Sequence, residues 1–112
     1  MIARSQAYLW AAQRISAMVL ALCVAVHLVT LIYAVRGGLS AAEILERTRG
    51  SFTWGAFYAI FVIAVAVHAP IGLRAILNEW FALRGRKLDV IVAIIALVLV
   101  ALGLRAVWAV VA

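Results

Sequence analysis

Charge, cysteine and proline are scarce in this chain. Only 12% of its 112 residues are Asp, Glu, Lys or Arg, whereas a soluble domain carries about a quarter. With 70% of residues hydrophobic and a mean hydropathy of +1.21, too little polar surface exists to cover a water-soluble fold, and lipid is the expected solvent. Acid is scarcest: four Asp and Glu face ten Lys and Arg, for a net charge of +6. In a soluble protein that balance would raise the question of nucleic acid. Here the charges flank apolar runs, which reads as headgroup anchoring and topology, and no nucleic-acid partner is expected. The single cysteine, Cys23, excludes a disulfide within the chain and a cysteine metal cluster. The single proline, Pro70, lies inside an apolar run.

What is abundant is apolar sequence in long runs, broken only by Gln13, Arg14 and His27 in the first, His68 and Pro70 in the second and Arg105 in the third. One run goes from about Leu9 to Val35, a second from about Phe52 to Leu73, and a third from Val90 to Ala112. A helix rising 1.5 Å per residue crosses the hydrocarbon core in about 20 residues, so each run suffices. The expected fold is an all-α membrane protein with transmembrane helices over about 9–36, 52–77 and 90–112, forming one transmembrane anchor domain over 1–112. The first run is too long for the apolar region of a cleaved signal peptide. Between the first two spans, Gly37 and Gly38 can end a helix in a left-handed cap. Ser40-Ala41-Ala42-Glu43 reads as a capping box, opening a short interfacial helix over about 40–49 that Gly50 closes.

Lysine and arginine set the orientation. Arg4, Arg14, Arg74, Arg84, Arg86 and Lys87 fall on the N-terminal side and second loop; Arg36, Arg47, Arg49 and Arg105 fall on the other. This bias places the N-terminus inside. Trp10, Trp54, Trp80 and Trp108 lie near span ends, as an aromatic belt requires.

Ionisable residues within spans are functional candidates, and there are four: Arg14, His27, His68 and Arg105. Arg105 is near enough to a span end to snorkel outward. His68 sits well inside the second span, and positions 68, 72, 75 and 79 share a helix face. Gly72 and Ala75 are expected to leave a shallow groove there, where a large flat group could approach. A neutral imidazole is a good axial ligand for haem iron, and Arg74 could meet a haem propionate or a quinone carbonyl. The competing reading is a histidine that hydrogen-bonds a neighbouring helix. His27, in the outer half of the first span, is open to the same two readings: a second haem iron or interhelical glue. Cys23, one turn away, reads as packing. Arg14, beside Gln13 and Ser16, could bind a quinone carbonyl or a propionate, or simply anchor to headgroups.

From about Gln13 to the C-terminus the chain resembles the cytochrome b membrane-anchor subunits of succinate dehydrogenases and fumarate reductases. That family opens its first helix with His-Arg-x-(Ser/Thr)-Gly, read here as Gln13-Arg14-Ile15-Ser16-Ala17. Its second helix carries His-x-x-x-Gly-(Ile/Leu)-Arg, read here as His68-Ala69-Pro70-Ile71-Gly72-Leu73-Arg74, with Glu79 following. The chain departs from the pattern at Gln13, Ala17, Trp10 and Ala75, which replace a His, a Gly, a Ser and a His. The resemblance implies His68 as a haem b ligand, Arg74 near a propionate, and Arg14 with Ser16 at the quinone-site end of the first helix. It implies electron transfer between a peripheral dehydrogenase of the tricarboxylic acid cycle and membrane quinone. No flavin or iron–sulfur motif is present, so a flavoprotein subunit and an iron–sulfur subunit are expected partners. They would dock on the basic loop Asn78–Asp89. The Ala, Val and Arg richness fits a bacterial chain, which would lie in the cytoplasmic inner membrane. The two histidines are expected on the order of 10 Å apart along the membrane normal, too far to share one haem. One or two haems would then be shared with a second three-helix subunit or a copy of this chain. Two rival functions stand beside this one: a small proton-coupled transporter subunit relaying protons through the histidines, and a haem-free membrane scaffold.

Overall fold

The computed structural model describes residues 2–112, and at Ile2 the backbone alone. Four helices follow one another: α1 (Ile2–Arg36), α2 (Ala41–Thr48), α3 (Phe52–Phe81) and α4 (Gly85–Val111). Among the described residues there is no strand. The three long helices are each apolar and long enough to span a bilayer, and the bundle measures 50 × 24 × 23 Å. At 1.5 Å per residue α1 is about 52 Å long, well beyond a core of about 30 Å. Its ends therefore reach past the hydrocarbon into the headgroup layers.

All three spans are longer than the apolar runs alone indicate. α1 begins at Ile2 rather than near residue 9, because no breaker separates Ile2 from the first apolar turn. α3 continues through Asn78-Glu79-Trp80 to Phe81, and α4 opens at Gly85 rather than at Val90. Polar residues do not stop a helix, so the expected loop Asn78–Asp89 shrinks to Ala82-Leu83-Arg84. α3 is ended instead by Ala82, held in the left-handed region at φ 53°. That conformation costs an alanine about 1–2 kcal/mol. Asn78 offsets part of this by donating from Nδ2 to the Leu83 carbonyl at 3.0 Å.

The link between α1 and α3 forms as its residues dictate. Gly38 takes φ +65°, while the amides of Gly38 and Leu39 donate to the carbonyls of Val35 and Ala34, the paired bonds of a Schellman cap. Ser40 accepts from the Glu43 amide at 3.2 Å to start α2. Gly50, at φ +69°, follows its end. α2 then clasps the far end of α4: Thr48 donates to the Val110 carbonyl at 2.6 Å, and the Gly50 amide to the Val111 carbonyl at 2.9 Å. These carbonyls belong to a last turn that has no intrahelical donors.

α3 is the central element. Both α1 and α4 pack along it, with no comparable contact between them. Little is fully buried: Cys23, Ala64, Leu88 and Val92 form the apolar core, with Ser16 and Thr48 the buried polar residues. Large apolar side chains such as Leu22, Val29, Ile63 and Leu97 face outward, as lipid requires. Without a hydrophobic drive between helices, close approach and polar contacts hold spans together. At Gly103 of α4, an added Cβ would lie 2.8 Å from Val62 of α3, so the glycine is what lets the two backbones meet.

Candidate functional site

The α1 face that meets α3 is polar and small rather than leucine-rich. Gln13, Ser16, Leu20, Cys23, His27, Thr30 and Ala34 recur at three- and four-residue steps, and all are buried or half-buried. Residues so spaced share one helix face. Cys23 is a free thiol, 4% exposed, packed in this seam as expected.

Both histidines fall on this α1/α3 seam, one from each helix. His68 of α3 faces α1, with Nδ1 3.4 Å from the Ser16 hydroxyl. Ser16 gives its one proton to the Gln13 carbonyl at 3.0 Å. With that proton placed there, the oxygen is free to accept from Nδ1 in the tautomer that leaves the lone pair on Nε2. His27 of α1 faces α3, with Nδ1 3.4 Å from the Tyr58 hydroxyl. Tyr58 has no second partner among the described residues, so it can donate or accept there. Edge-on contacts with Tyr58 and Phe61, each at 5.9 Å between centroids, frame the His27 ring.

The antiparallel register separates the histidines further than expected. Ser16 is level with His68, and Tyr58 with His27. Ten to eleven residues between those levels, at 1.5 Å each, put the two about 15 Å apart along the helices, rather than about 10 Å.

The surroundings differ as well. The groove expected beside His68 is not open along Gly72. The Gln13 side chain lies against that glycine, its Nε2 3.1 Å from where a Cβ would be. Gly72 thus serves the approach of α1 to α3. The Gln13 Oε1 is buried there and accepts no hydrogen bond from the described residues, a condition that costs about 1–3 kcal/mol in a protein interior. An open cleft of about 350 Å³ lies at His27 instead, between α1, α3 and α4. Its walls are apolar, with Phe61, Val65, Leu99 and Gly103 among them, and His27 and Tyr58 supply its polar edge. That size and composition are those of a site for a small organic group.

The arginines are already engaged. Arg74 of α3 forms an ion pair with Asp89 in the first turns of α4. Arg14 is exposed, with its guanidinium 5.1 Å from the Trp10 ring centroid. At the opposite end Arg47 stacks over Tyr33 at 5.9 Å. Helix directions bring Arg4, Arg14 and the Arg84–Lys87 cluster to one end of the bundle. No group of three or more His, Cys, Asp or Glu side chains converges among the described residues. Any iron would be held one imidazole at a time.

Sequence reasoning passed over Tyr58, Phe61 and Asp89. The first two had a readable signal: Trp54, Phe57, Tyr58 and Phe61 follow an i, i+3, i+4, i+7 pattern and form one aromatic cluster, with Trp54 stacked on Tyr58 at 5.8 Å. Asp89 had none, since its pairing with Arg74 depends on how α3 turns into α4.

Three apolar helices of spanning length, with one imidazole set between α1 and α3 in each half, define a multi-pass helical membrane protein built around its interhelical histidines. A model of the succinate dehydrogenase/fumarate reductase transmembrane subunit family matches residues 1–104, and the chain belongs to that family. Membership implies association with the flavoprotein and iron–sulfur subunits of such a complex. No curated protein and no solved structure is significantly similar to the chain.

Proposed function

We propose that this chain is the haem b-binding membrane anchor through which a peripheral flavin and iron–sulfur dehydrogenase exchanges electrons with membrane quinone. The observation that carries the haem reading is the Ser16–His68 contact, in a chain of this family. A metal-bound histidine almost always donates its other ring N–H to a neighbour, which fixes tautomer and orientation. Ser16 gives His68 that acceptor and leaves Nε2 able to bind iron. Haem supplies one-electron redox chemistry, and the protein's part is orientation and electrostatics.

His68 is the axial ligand in the half nearer the basic end. Arg14, and Arg74 on exchanging Asp89, are the cations available there for propionates or a quinone carbonyl. His27 is the ligand of a second, outer haem, for which the cleft beside it is the fitting space. The separation of about 15 Å makes these two haems rather than one shared. Each lacks a second axial ligand within this chain, so a second three-helix subunit or a copy of this chain completes them. The basic end faces inward, following the positive-inside bias, and is where the iron–sulfur subunit docks.

The test is a reduced-minus-oxidised optical spectrum of the complex purified through this chain, beside His68→Ala and His27→Ala variants. Loss of a b-type band in His68→Ala, and partial loss in His27→Ala, is expected. A band that survives both substitutions puts the ligands on another chain. Absence of any band leaves a haem-free anchor, with proton relay by the histidines as the next reading to test.

A further inference from the structure

The start of α4 carries three cations in four positions, Arg84, Arg86 and Lys87, with little acid to balance them. Asp89 is held by Arg74 in the one ion pair found among the described residues, and Glu79 pairs with none of the three. Below the cations the surface turns apolar. Leu83, Val90 and Ile91 line an open groove of about 410 Å³, with Arg86 and Lys87 at its edge. Leu83 is fixed in place, because Asn78 donates to its carbonyl and holds the turn. The depth of the groove follows from α4 itself. Leu88 and Val92 turn into the bundle. On the opposite face Lys87, Val90, Ile91, Ile94, Val98 and Arg105 recur at helical steps, and all are exposed. From Lys87 to Arg105 is about 27 Å at 1.5 Å per residue, close to the hydrocarbon thickness of about 30 Å. Lys87 therefore stands at one boundary of the hydrocarbon, level with the lipid headgroups. The proposed iron–sulfur contact is with the end of the bundle, whereas this groove opens on its flank.

We infer that the groove binds a single anionic phospholipid, its phosphate on Arg86 and Lys87 and an acyl chain along Val90, Ile91 and Ile94. The inference needs only the membrane-spanning fold, and neither haem nor quinone. Charge selects the class of lipid. A zwitterionic headgroup brings an ammonium beside its phosphate, and the neighbouring acid, Asp89, is already bound to Arg74. An anionic headgroup brings no ammonium, and unpaired Lys and Arg at a membrane surface attract it. Arg86 can hold two phosphate oxygens in a fork, while Lys87 adds a point charge. The opposite end of the bundle lacks this imbalance, since Arg47 and Arg49 lie beside Glu43 and Glu46.

The experiment uses the purified complex in nanodiscs made of equal phosphatidylglycerol and phosphatidylcholine. After transfer to detergent, the phospholipids still bound are counted by native mass spectrometry. The wild type should keep a single phosphatidylglycerol per copy of the chain and lose phosphatidylcholine. Arg86→Gln combined with Lys87→Gln should lower that retention about tenfold. Arg47→Gln combined with Arg49→Gln removes the same charge at the other end and should leave it unchanged. Ile91→Trp keeps both cations but fills the groove, and should displace phosphatidylglycerol as well; it decides the question where the paired substitution impairs assembly. Retention of the two lipids in proportion to their supply would overturn the inference, by reducing the groove to ordinary lipid-facing surface. Selective retention that survives the loss of Arg86 and Lys87, or survives Ile91→Trp, would overturn it by placing the lipid elsewhere. A wild-type complex that keeps no phospholipid would overturn it too, and would show the groove covered by another subunit.

Discussion

The two halves of the α1/α3 seam handle a buried imidazole in opposite ways. In the half nearer the basic end, the inner half of the proposed orientation, α1 lies close on α3, Gln13 fills the space over Gly72, and His68 is held by a buried serine. In the outer half α4 forms the third wall of an open apolar cleft, and His27 is framed by two aromatic rings. The inner histidine meets a serine whose own proton has an acceptor in the Gln13 carbonyl. The outer one meets a tyrosine hydroxyl able to act either way. An imidazole in a half-empty space can adapt to what enters, whereas one in a filled seam is committed beforehand.

The largest effect should come from closing the outer cleft. Gly103→Val brings a side chain into Val62, whose Cγ atoms already stand 2.8 and 2.9 Å from a simple Cβ. Val is stiff about χ1 and cannot swing clear. Overpacking of this kind costs about 1–3 kcal/mol, read as a lower thermal midpoint of the purified complex. Pairing it with Val62→Ala should restore much of the loss; no restoration would show that α3 and α4 are not in contact at this point.

Ser16→Ala tests the inner half. It leaves the His68 Nδ1 proton without its acceptor and should weaken haem retention by about tenfold, the lower end of what losing such a partner costs a metal site. The measurement is haem-to-protein ratio through successive gel-filtration passes. Tyr58→Phe, made in parallel, should leave the inner band untouched and alter only the outer one. An equal effect of both substitutions on one band would break the distinction between the halves.

Thr48→Val should cost about 1 kcal/mol, by removing the hydroxyl that the Val110 carbonyl receives at 2.6 Å. Faster amide exchange in the last turn of α4 would report it. The smallest effect belongs to Arg74→Ala. Its ion pair with Asp89 is largely exposed, at 45% and 59% for the two side chains, and such pairs contribute about 0–1 kcal/mol. A haem or quinone phenotype larger than that stability change would show Arg74 acting on a ligand rather than on Asp89.

The sequence yields the three spans, the capped interfacial helix and both histidines, because these follow from local pattern: apolar runs, Ser40 before Glu43, a lone imidazole in a span. It does not yield where α3 stops, because Ala82 is not a residue that announces a left-handed turn. Nor does it yield the pairs Ser16–His68, Tyr58–His27 and Arg74–Asp89. Those depend on the register in which antiparallel helices lie, and a shift of one turn would exchange every partner. The open groove expected from Gly72 has the same origin. Glycine at a helix surface makes room, but only the neighbouring helix decides whether a ligand or Gln13 takes it.

The clasp between Thr48 and Val110 spans 62 positions of the chain, and the Ser16–His68 contact spans 52. A chain emerges from its N-terminal side, so the two do not close together. The inner contact needs only α1 and α3, and can form while α4 is still being made. The clasp and the outer cleft need α4 to have crossed. Assembly is thereby ordered in time as well as in space: the half that holds Ser16 and His68 can close first, and the other half is sealed last, by a loop already waiting for the helix it will hold.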